Sequence, residues 1–187
     1  MQNSEREKTK MRRIRLILFL LLGLWMTGCG TGPSLMGREQ SFSLEQIDTE
    51  LQGALPVTRK AAFGSVKVVG MVLQQGAENR GLEVPVKFIF TSYEIPEGIQ
   101  ALITYSADLR YDPASRKLTL GTLKPLRLEF ANPSLEEYIS ARARKGIPVL
   151  VASAIRSIPL QILPEGFSAH KVTKADIEKD KLLVEFQ

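Results

Sequence analysis

The chain has 187 residues, 44% hydrophobic and 24% charged, which suits one folded domain with a targeting segment and excludes a disordered chain. A net charge of +5 would suggest a nucleic-acid or membrane partner. Residues 1–28 hold six basic and two acidic residues, so +4 of that charge lies in the leader, and the near-neutral remainder offers no electrostatic footprint for nucleic acid.

Met1 to Arg15 reads as a polar, basic segment, and Leu16 to Met26 as an uncharged apolar run of 11 residues. That run is well short of the roughly 20 residues a transmembrane helix needs, and it fits the apolar region of a signal peptide. It ends in Met26-Thr27-Gly28-Cys29, which resembles the lipobox of bacterial lipoproteins, with Met26 where that pattern prefers leucine. The resemblance implies a signal peptide over 1–28 and lipid attachment at Cys29. Two or more acyl chains there would anchor the protein stably to a membrane. The alternative is an ordinary signal peptide with an incidental cysteine. Cys29 is the sole cysteine, so no disulfide can form within the chain. Gly30 is not the aspartate that resembles an inner-membrane retention signal. The expected location is therefore the outer membrane, facing the periplasm.

Residues 29–40 are expected to be a lipidated tether, and residues 41–187 a single domain. A helix is predicted from Leu44 to about Leu55, with Ser43 and Gln46 in a capping-box pattern and Leu44, Ile47 and Leu51 on a narrow apolar stripe. Strand signals follow at Gly64–Gln74, Leu82–Thr91, Ala101–Tyr111 and Leu118–Phe130, separated by polar turns. Gly121 and Pro125 weaken the last run and suggest a bulge or an edge. These runs predict an antiparallel meander, long enough to coil strongly.

Asn132 to Ile158 is predicted as one long amphipathic helix. Asn132 suits the N-cap and Pro133 the first turn. Apolar residues recur at Leu135, Ile139, Ala143, Ile147, Leu150, Val151, Ala154, Ile155 and Ile158. Pro148 should kink this helix without ending it. Pro159–Leu163 reads as a short extended piece. Phe167–Val172 and Lys181–Phe186 read as closing strands, with Asp176–Asp180 as the turn between them. The predicted class is α+β: a long, strongly coiled antiparallel sheet wrapped around one long helix, with a short N-terminal helix.

The lipobox, the long strands and the stretch Gly146-Ile-Pro-Val-Leu-Val-Ala-Ser-Ala-Ile-Arg-Ser-Ile-Pro-Leu-Gln-Ile-Leu163 together resemble the YceB-like bacterial lipoproteins. The tail Lys171–Phe186 supports the resemblance. That family's fold looks like half of the tubular lipid-binding (TULIP) architecture. The resemblance implies a binder of a hydrophobic, lipid-like ligand and brings no catalytic residues.

Motifs for chemistry are missing from the sequence. His170 is the sole histidine, with no cysteine or second histidine to complete a zinc site. Asp176, Glu178 and Asp180 alternate like a calcium loop, but neighbouring lysines offset them and the loop glycine is missing. Arg142, Arg144 and Lys145 could meet anionic headgroups or form a solvated helix face. No cofactor, no metal and no enzymatic activity are expected.

The apolar inventory leaves two readings open. Val86, Phe88, Phe90, Ile103, Tyr105, Ile147, Leu150, Val151, Ala154 and Ile155 could line a tunnel for an acyl chain. They could equally form a closed core, with the protein serving as an accessory envelope lipoprotein that binds a protein partner.

Overall fold

The computed structural model describes residues 38–77, 81–165, 167 and 169–187. The signal peptide expected over 1–28, Cys29 and most of the expected tether lie outside them. The tether's last residues do not: Arg38–Gln40 already belong to a strand, so the folded domain starts earlier than residue 41.

Strand β1 (Arg38–Ser43) leads into helix α1 (Leu44–Ala54), which buries Ile47 and Leu51. Ser43 precedes the helix but its side chain makes no capping bond, contrary to the predicted capping box. A polar strand β2 (Val57–Ala61), unsignalled by any alternation, pairs with β3 (Gly64–Met71). The short β4 (Gln74–Gln75) follows. The long strands are β5 (Leu82–Thr91), β6 (Ile99–Asp112) and β7 (Lys117–Phe130). They alternate as their sequences suggest: Leu82, Val84, Val86, Phe88 and Phe90 of β5 are buried while Lys87 between them is exposed. Register shifts in β7 at Pro125–Arg127 and Leu120–Leu123 mark the weak centre that Pro125 and Gly121 impose.

The expected long helix is absent. Helix α2 (Pro133–Glu136) is a single turn, and α3 (Ala141–Ile155) begins anew after a break at 137–140. Two polar caps explain the break. Asn132 accepts from the Ser134 N–H at the start of α2, and the Ser140 hydroxyl accepts from the Ala143 N–H at the start of α3. Arg144 spans the gap: it pairs with Glu136 at 2.6 Å and donates to the Glu136 and Ile139 carbonyls. These bonds satisfy carbonyls that a continuing helix would have used. Pro148 lies inside α3, as expected.

Strand β8 (Pro159–Ile162) pairs with the start of β7. The tail forms β9 (Val172–Glu178) and β10 (Lys181–Phe186). Strand β9 therefore occupies most of the segment predicted as a charged turn. Its charged residues alternate with half-buried Ala175 and Ile177, which suffices for an edge strand covered on one side.

There are two sheets. One has the order β1-β10-β9 and the other β2-β3-β5-β6-β7-β8, with β4 paired to β5, and all pairings are antiparallel. The described residues are thus mostly strand, in two open sheets with three short helices. The predicted architecture of a coiled sheet around one long helix is corrected accordingly. A helical stripe in phase across residues 135–158 does not require an unbroken helix. Ile139 within the gap and Ala143 after it both face the core, although the helical hydrogen bonding is interrupted there.

Candidate functional site

The ten residues expected to border a ligand meet in one core. Val86, Phe88 and Phe90 come from β5, Ile103 and Tyr105 from β6, and the other five from α3. Leu150 is half-buried, Phe88 is 1% exposed, and the other eight are 0% exposed. A side chain with no accessible surface touches neither solvent nor an enclosed void large enough for water. At these eight positions the space between α3 and the strands is filled by the protein's own atoms.

Two further contacts fasten α3. The Tyr105 hydroxyl donates to the Pro148 carbonyl. Burial pushes this phenol's pKa up, opposed by a hydrogen bond from the Ala152 backbone, so it stays a neutral donor. At Gly146 the Phe63 ring lies so close that a Cβ would run into it. An aromatic ring therefore fills the space beside this glycine.

Elsewhere the surface opens into a cleft of about 1020 Å³ between the β6–β7 hairpin and β9. Its walls carry Arg110, Lys117, Arg156 and Lys174, together with Asp108 and Asp112. Sequence reading missed this site because its cations are far apart in the chain and each looks like an ordinary solvated residue. The register that aligns them was the missing signal: Arg110 pairs with Thr119 and Asp112 with Lys117 across the hairpin. Asp108 accepts from the Thr122 N–H, and a Cβ on Gly121 would collide with its carboxylate, so the glycine admits that bond. Asp112 accepts from the Ala114 N–H and the Ser115 hydroxyl, which, with Arg110 nearby, hold its pKa below the ordinary range.

The outer surface has a third notable region. Strand β8 covers only Lys117–Thr119 of β7, and the β7 edge beyond has no strand partner among the described residues. Lys124, Pro125, Arg127 and Glu129 lie along it, the residue types that keep a free edge from indiscriminate pairing. Leu126, Tyr138 and Val149 are exposed apolar side chains on β7, in the break and on α3. Among the described residues, no helix is long and apolar enough to cross a membrane. Compared with models of known protein families and with curated protein sequences, the chain matches none.

Proposed function

We propose that this chain is a lipoprotein anchored through Cys29 at the outer membrane, facing the periplasm, and that it acts by binding another envelope protein on its outer surface. The reading assigns it neither enzymatic chemistry nor nucleic acid. The observation that carries the surface-binding half is the filled interior. Eight of the ten side chains that would have to border a lipid tail have no accessible surface. Admitting an acyl chain would mean separating α3 from the strands and exposing its apolar stripe, at about 25 cal/mol per Å² of apolar area. The anchoring half rests on the lipobox-like Met26-Thr27-Gly28-Cys29.

A photo-crosslinking residue placed in turn at Leu126, Tyr138 and Val149 in living cells tests the proposal. One dominant protein adduct is expected. Native mass spectrometry of the same protein, extracted from membranes, should show covalent lipid on Cys29. A noncovalent lipid in the spectrum with no protein adduct would reverse the reading in favour of a hydrophobic-ligand carrier.

A further inference from the structure

We propose that the cleft between the β6–β7 hairpin and β9 binds a small organic phosphate, which Arg110, Lys117, Arg156 and Lys174 receive. The proposal stands on the described residues alone and needs neither the lipid anchor nor the protein partner.

The four cations come from β6, β7, the end of α3 and β9, so they converge only in the folded chain. Among the described residues, the ion pairs are Arg116–Glu165, Arg127–Glu129 and Arg144–Glu136, and none uses a cation of the cleft. Asp108 and Asp112 line the same cleft and offset two of its four positive charges, so the lining keeps a net charge of +2, and Glu185, opposite Lys174 on β10, forms no ion pair with it. A concavity with surplus positive charge attracts and concentrates anions. Two arginines add planar, bidentate donors that match phosphate oxygens.

The cleft is larger than a bare phosphate, and at about 1020 Å³ it reaches the upper end of small-molecule sites. Half-buried Ala107, Val172 and Ala175 supply apolar wall for a carbon skeleton. A phosphate ester from a soluble metabolite and the headgroup of a phospholipid share this chemistry.

Calorimetry on the full chain carrying Cys29→Ser, in nonionic detergent, separates these sources with two water-soluble probes: glycerol 3-phosphate and dihexanoyl phosphatidylglycerol. Saturable binding of at least one is expected, and the tighter probe identifies the source. Arg110→Gln with Lys174→Gln should weaken it about tenfold or more, and Arg156→Gln, on a different element, should weaken it separately. Arg142→Gln with Lys145→Gln, which removes as much charge from the exposed side of α3, should leave it unchanged. Absence of saturable binding by both probes would overturn the proposal. So would equal loss in the α3 variant, or binding of a glutamate-rich peptide alone.

Discussion

Tyr105, Gly146 and Asp48 show how single side chains fix the interior. Tyr105→Phe removes a buried hydroxyl that fastens α3 to β6. It should lower stability by about 1 kcal/mol, read as a lower urea midpoint with unchanged slope. Gly146→Ala should also destabilise, by about 1–3 kcal/mol, because the Phe63 ring has to move. Gly53→Ala should do the opposite. Nothing lies within 4 Å of a Cβ there, so α1 gains about 0.5–1 kcal/mol from the better helix former. Asp48 carries a pH signature. Burial raises its pKa above the ordinary 3.8, and its Oδ1 is buried without a hydrogen-bond partner among the described residues. The folded chain therefore holds this proton more tightly than the unfolded chain. Stability contributed by Asp48 is greatest below its unfolded pKa and declines as pH rises through the raised folded one. Asp48→Asn should abolish that decline, and urea titrations of both proteins from about pH 4 upward would reveal it.

At the scale of elements, the break before α3 is the clearest departure from expectation. Ser140→Ala removes the cap of α3 and should cost about 1 kcal/mol in the same unfolding measurement. The long strands were legible because each carries its own alternation: Leu82 to Phe90 and Ala101 to Tyr111 specify a buried face without help from neighbours. Strands β1, β2 and β9 were not legible. Arg38–Ser43, Val57–Ala61 and Val172–Glu178 are polar, lie at sheet edges and become strands through the partner beside them. The break escaped notice for a related reason. The apolar stripe reports which way residues face, whereas Ser140 and Arg144 decide where the hydrogen-bond ladder stops. The core positions expected to border a ligand were readable as core. Whether they enclose space depended on packing, which periodicity does not encode. The cationic cleft depended on strand register and could not be read at all.

For the whole molecule, the two open sheets divide its tasks. The six-strand path and α3 hold most of the apolar core, while β1, β10 and β9 join the N-terminal side of the domain to its C-terminal end. Tyr111 of β6, Phe167 and Phe186 of β10 meet edge to face, with centroids 4.9–5.7 Å apart, and link the sheets. Phe186→Ala should cost about 3–5 kcal/mol and loosen the three-stranded sheet preferentially. Hydrogen exchange of β1 and β10 amides should then quicken more than that of β5 and β6.

The pairing of β1 with β10 also has a consequence for biogenesis. Arg38 finds its neighbour in Phe186, and Ser43 in Lys181, across nearly the whole folded domain. While the protein is being made, β1 has no hydrogen-bonding mate until Lys181–Phe186 has emerged, so the three-stranded sheet closes late, and deleting residues 181–186 would strand β1 for good.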